Sequence, residues 1–189
     1  MYWPDPFFRF ALNNTIMKKN ILALVLSVFT LSAMAQNVNT AESNVSFELS
    51  NMKWKTVEGT FTGMTGTVTI DPENLDSSSI DVCIDAATVN TGNEKRDDHL
   101  RNEDFFEVET YASICFTSTN IVKTETGYTA KGNLTMHGVT LAVEIPLSVD
   151  GKTVTGSLTV NRYDYKVGEG YGTFMIGDEV AITITCVLE

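Results

Sequence analysis

The chain has 189 residues, a formal net charge of −11 and 43% hydrophobic residues. Residues 1–35 carry a net +2, from Arg9, Lys18 and Lys19 against Asp5, so the acidity is concentrated in the rest of the chain. That charge repels nucleic acid and anionic membrane surfaces, and the length beyond residue 35 fits one domain.

The N-terminal stretch reads as a targeting segment. Met17-Lys18-Lys19-Asn20 is a basic start, Ile21 to Leu31 an apolar run, and Ala33-Met34-Ala35 a small-x-small cleavage site. Residues 17–35 are therefore expected to be a signal peptide, with Gln36 the first mature residue and residues 1–16 an upstream extension. The expected destination is the periplasm or the medium. The apolar run is too short to span a bilayer, so no stable membrane insertion is expected. No cysteine near Ala35 suggests lipid anchoring.

From residue 43 onward, apolar and polar residues alternate with period two. Val45, Phe47 and Leu49 begin the pattern; Gly66, Val68 and Ile70 continue it, then Ile80, Val82 and Ile84. An insert follows, 91–111, with helix punctuation. Thr91-Gly92-Asn93-Glu94 has the form of a capping box with Thr91 as N-cap, and Asn102 or Asp104 can start a second turn carrying Phe105 and Phe106. Alternation resumes with Ala112, Ile114 and Phe116, then Tyr128 to Met136, Val139 to Leu147, Val154 to Val160, and Val180 to Leu188. Each run has one apolar face, as antiparallel sheet with one solvated side requires.

The turn signals agree. His137-Gly138 and Asp150-Gly151 suit two-residue hairpins, Gly177-Asp178 suits a type II′ turn, and Thr126-Gly127 closes a longer hairpin. Short hairpins favour up-and-down topology. Strand glycines, among them Gly59, Gly132 and Gly156, favour a curled sheet. Gly132, on the apolar phase, is expected to leave room in the interior. The reading is all-β: a single antiparallel up-and-down barrel of about eight strands, residues 36–189, with a short helical insert capping one end.

Three cysteines remain to be placed. Cys83 and Cys115 sit on the polar phase of strands flanking the insert. Antiparallel neighbours centred near His99 would set them opposite each other, which permits a disulfide if the geometry suits. Cys186 lies on an apolar phase and is expected to be a buried thiol. No CxxC or cysteine–histidine cluster suggests a metal site.

Four segments, in order, carry a likeness to a known family: RDDHLRNEDFF (Arg96 to Phe106), YASICF (Tyr111 to Phe116), GNLTMHGVT (Gly132 to Thr140) and NRYDY (Asn161 to Tyr165). Together they resemble the YceI-like family, over roughly residues 40–189. The resemblance implies a lipocalin-like barrel, exported by bacteria, that holds a polyisoprenoid or similar long amphiphile. This chain departs from the family in having Ala112 where proline is usual and Lys166 where glycine is usual.

The expected ligand is thus an isoprenoid or fatty-acyl lipid, with no cofactor, no metal and no catalytic residue. Phe47, Ile84, Phe116, Leu134, Leu141 and Leu158 are expected to line the interior, and Leu100, Phe105 and Phe106 to cap it. Arg96 and His99 form either a polar rim for a headgroup or the caps and ion pairs that pin the insert. His137 reads as a turn residue. Arg162 and Asp164 both point inward if their strand continues unbroken; with a bulge, Tyr163 and Tyr165 do so instead. No GxSxG, HExxH or GxGxxG supports catalysis in the mature part. Two rival readings remain open: a ligand-free structural or adhesive β-sandwich, and an enzyme acting on a small amphiphile.

Overall fold

The computed structural model describes residues 34–51 and 55–189, so the upstream extension and nearly all of the signal-peptide segment lie outside the described residues. Alternation produces strands where the sequence places them, and two more, Gln36–Asn37 and Lys55–Phe61, lie outside the alternating runs. After the two-residue β1 (Gln36–Asn37) come β2 (Asn44–Asn51), β3 (Lys55–Phe61), β4 (Thr65–Thr69) and β5 (Ser79–Asp85). The insert then carries a helix, α1 (Glu94–Arg101). Beyond it follow β6 (Ser113–Lys123), β7 (Tyr128–Met136), β8 (Val139–Asp150), β9 (Thr153–Asn161) and β10 (Ile176–Val187).

The ten strands of the described residues form one antiparallel sheet in the order β1-β4-β5-β6-β7-β8-β9-β10-β2-β3. Every neighbour from β4 to β10 is consecutive in sequence, which is the up-and-down topology that short hairpins favour. The curl closes through two devices. The link Thr62–Met64, with Gly63 at φ +72°, carries the chain from β3 at one edge to β4 beside the other. The residues just after β1 also bridge: Val38 donates to the Gly66 carbonyl at 3.1 Å, and Asn39 donates to the Val187 carbonyl at 2.8 Å. Counting β3 and β4 as one bent strand, and setting aside β1, leaves the expected eight.

The turns depart from the sequence reading in two places. Asp150 pairs with Thr153, so the two-residue loop is Gly151-Lys152, one position later than expected. Gly177 and Asp178 make no turn; they lie inside β10, where the register against β2 shifts between Ile176 and Val180. A bulge needs the same permissive residues as a turn, and sequence does not separate the two. His137-Gly138 does form the turn, with φ of +50° and +73° between the paired Met136 and Val139.

Gly132 also differs from expectation. A Cβ there would meet the Phe116 ring at 2.7 Å and the Thr117 carbonyl. Gly59 is similar, lying under the Phe47 ring, with Cε1 2.7 Å from a built Cβ. Both glycines make way for a cross-strand aromatic ring, not for a ligand.

Cys83 and Cys115 face each other across β5 and β6, with Cα atoms 4.1 Å apart, and are joined as a disulfide. Cys186 is a buried free thiol. Burial pushes it up to about 11, partly opposed by a hydrogen bond with Ser43.

A candidate ligand cavity at the helical end of the barrel

Three connections leave the sheet at the same end: the insert between β5 and β6, the β7–β8 turn, and the segment 162–175 between β9 and β10. Beneath them is a cavity of about 410 Å³, within the usual range for small-molecule sites. Its walls are almost wholly apolar. Phe47, Ile84, Phe116, Leu134 and Leu158 line it from the strands, and Leu100, Phe105 and Phe106 from the insert. Leu141 does not: it packs against the core beside its partner Leu134 but forms no part of the cavity wall. Mid-strand residues such as Phe47, Leu158 and Ile182 are only half-buried although they face inward, because they face open space.

The insert is built by local hydrogen bonding. The N-cap of α1 is Asn93, not Thr91; the Asn93 side chain accepts from the Arg96 N–H at 3.1 Å. Thr91 has another task. Its N–H donates to the buried Asp97 carboxylate at 2.9 Å, and its hydroxyl bonds the same oxygen. Arg101 ties the helix to the chain before it, donating to the carbonyls of Ala87 at 2.8 Å and Val89 at 3.0 Å. Asp97 and Arg101 thus pin the insert, which leaves Arg96, His99 and Leu100 facing the cavity.

Aromatic contacts continue this roof. Phe105 stacks on Tyr171 with centroids 5.0 Å apart, and Phe106 meets Phe61 edge-on at 5.3 Å. His99 Nε2 lies 2.9 Å from the Tyr171 hydroxyl and 3.0 Å from Asp104 Oδ2, and the Tyr171 hydroxyl also donates to Asp104 at 3.3 Å. Desolvation first, and then the Asp104 charge, push the Tyr171 phenol above its ordinary value. Tyr171 was not among the expected site residues. It sits in an aperiodic, glycine-rich stretch, where one aromatic between Gly170 and Gly172 is the only signal.

Neither reading of Arg162 and Asp164 holds. The strand ends at Asn161, and residues Arg162–Tyr165 form a 3-10 turn. Arg162 and Tyr165 point inward, Tyr163 is half-buried, and Asp164 is exposed and outside the cavity wall. The buried guanidinium has no carboxylate partner among the described residues. Nε donates to the Gly177 carbonyl at 3.0 Å, and Nη1 to those of Val167 at 2.9 Å and Gly168 at 2.5 Å. Nη2 donates to the Tyr163 hydroxyl at 2.7 Å, the Ile176 carbonyl at 3.2 Å and the Tyr171 carbonyl. One side chain therefore gathers the segment 167–177 over the barrel mouth. Lys166, where glycine is usual in the family the chain resembles, is left-handed at φ +59°.

His137 acts as a turn residue whose Nδ1 lies 3.1 Å from the Tyr165 carbonyl; its Nε2 is 3.6 Å from Glu107. Among the described residues, no cluster of three His, Cys, Asp or Glu side chains could hold a metal ion, and no helix is long and apolar enough to cross a membrane.

Comparison with known proteins agrees with this architecture. Protein YceI of Salmonella newport is 32% identical over 143 residues, covering 72% of this chain and 75% of that one. Among solved structures, Burkholderia cenocepacia BcnA superposes with a TM-score of 0.72 at 29% identity, over 79% of this chain and 98% of BcnA. A polyisoprenoid binding domain from Saccharophagus degradans shares the fold, with a TM-score of 0.63 at 18% identity, over 82% of this chain and 98% of that domain. The YceI-like domain profile matches residues 36–188, and the chain belongs to the YceI-like family.

Proposed function

We propose that this protein is an exported carrier that holds a polyisoprenoid or other long-chain amphiphile inside its barrel and performs no catalysis of its own. The observation that carries this reading is the cavity of about 410 Å³ with apolar walls. Left empty and closed, a cavity of that size would cost on the order of 10 kcal/mol, at ~24 cal/mol per Å³. That is comparable to the whole stability of a domain, roughly 5–15 kcal/mol. An apolar chain removes the penalty and itself gains ~0.8 kcal/mol per methylene taken from water. Export rests on the pattern of residues 17–35 and predicts that protein recovered from the periplasm begins at Gln36.

The test is native mass spectrometry of the purified protein, followed by organic extraction. A long-chain amphiphile should accompany the wild type. Leu158→Trp, which places bulk in the cavity, should abolish its retention and leave the melting temperature within a few degrees. A protein that carries no amphiphile, and takes up none when offered it, would refute the reading.

A further inference from the structure

Among the described residues, the permanently charged side chains that line the cavity are both cationic. The chain holds 24 Asp and Glu against 13 Lys and Arg, yet among the described residues no acidic side chain lines the cavity, while Arg96 and Arg162 both do. Neither arginine has a carboxylate oxygen within 4.0 Å among the described residues. His99, the other polar side chain that α1 presents to the cavity, already has Asp104 at 3.0 Å. Arg162 is saturated by five carbonyls and a hydroxyl, all neutral acceptors, so its positive charge stands unbalanced in a low-dielectric wall. Arg96 differs in a useful way. Nε donates to Thr91 Oγ1 at 2.7 Å and Nη2 to the Thr91 carbonyl at 2.9 Å, but Nη1 bonds no acceptor among the described residues. The guanidinium is thus held in place with donors to spare, and the buried Asp97 carboxylate reaches it only through the shared Thr91 hydroxyl.

We infer that the cavity selects amphiphiles with an anionic oxygen headgroup, a carboxylate or phosphate, which takes the spare donors of Arg96 and lies in the field of Arg162. This rests on the carrier reading above and adds the polarity of the cargo to it. The apolar tail occupies the walls formed by Phe47, Phe116 and Leu158. The headgroup stays at the helical end, where Arg96, one turn before His99, faces the cavity. A neutral headgroup of the same size would receive ordinary hydrogen bonds; an anion receives charge-assisted ones, roughly twice as strong.

The test uses protein purified from cells expressing the full chain and then delipidated. Hexadecanoate and hexadecanol share one tail and differ in headgroup charge, and equilibrium dialysis gives a Kd for each. Hexadecanoate should bind at least about tenfold tighter. Arg96→Gln should bring the ratio close to unity and Arg96→Lys should restore most of it; if Arg96→Gln does not fold, the wild-type ratio alone decides. Inorganic phosphate should neither bind measurably nor displace hexadecanoate, since it has no tail. Equal affinity of the wild type for acid and alcohol would overturn the headgroup inference and leave the carrier reading intact. Inorganic phosphate binding as tightly as hexadecanoate would also overturn it, marking a small-anion site. Binding of neither amphiphile would overturn the carrier reading as well.

Discussion

The disulfide between Cys83 and Cys115 spans 32 positions and encloses the whole helical insert. In the folded sheet it changes little, because Val82–Phe116 and Ile84–Ile114 hold the same register on either side. Its effect falls on the unfolded chain, which loses the freedom of that loop. For a loop of this length, chain entropy gives roughly 3.7 kcal/mol at room temperature. With a urea m-value of about 2 kcal/mol/M, reduction should lower the unfolding midpoint by roughly 2 M. The assay is urea denaturation followed by far-UV circular dichroism, with and without reductant, beside the Cys83→Ser/Cys115→Ser variant. Mass spectrometry after alkylation reports the redox state of each sample. The native spectrum should be unchanged by reduction while the midpoint falls. Equal midpoints in samples shown to be bonded and reduced would refute the loop-closure reasoning.

Gly132→Leu should destabilise the fold by about 1–3 kcal/mol or more, read as a lower melting temperature, because the side chain would enter the space of the Phe116 ring. Lys166→Gly should raise stability by roughly 1 kcal/mol, since φ +59° strains a residue with a Cβ and not glycine; an unchanged or lower melting temperature would count against that conformation. The folded Cys186 thiol stands at about 11 against an ordinary 9.0, so the folded state keeps its proton where the unfolded state loses it. This contribution should be complete below pH 9, decline as pH rises toward about 11, and vanish from the pH profile of Cys186→Ala.

Much of the fold was legible in the sequence because period-two alternation has a direct physical cause: each strand has one face toward the interior and one toward water. Strand faces and the flanking positions of Cys83 and Cys115 follow from that rule alone. The rule does not say whether an inward residue meets another side chain or open space. Leu141 and Leu134 share a phase and pair directly, yet only Leu134 reaches the cavity. Gly132 shares the phase too, but its space is filled by a ring two positions along the neighbouring strand from its own partner Ser118. Periodicity fails altogether from Arg162 to Met175, where a 3-10 turn and an irregular segment replace the strand. Tyr171 was therefore missed, and Arg162 and Asp164, treated as a pair, proved to face opposite ways. The helix start was misplaced for a local reason: Thr91 and Asn93 are both competent caps, and Asp97 claims the threonine.

The way Arg162 holds the segment 167–177 separates anchoring from composition. Five of its six acceptors are main-chain oxygens, which every amino acid supplies, and the sixth is the hydroxyl of its own neighbour, Tyr163. The grip therefore does not draw on the side chains of the segment, although Gly168, at φ +65°, leaves no room for a Cβ beside Arg162 Nη1. Glu169, Thr173 and the exposed Phe174 can be exchanged without loosening it. The barrel thus carries a mouthpiece whose chemistry can be rewritten while its attachment stays fixed, which makes these positions the natural place to alter the surface over the cavity without touching the strands below.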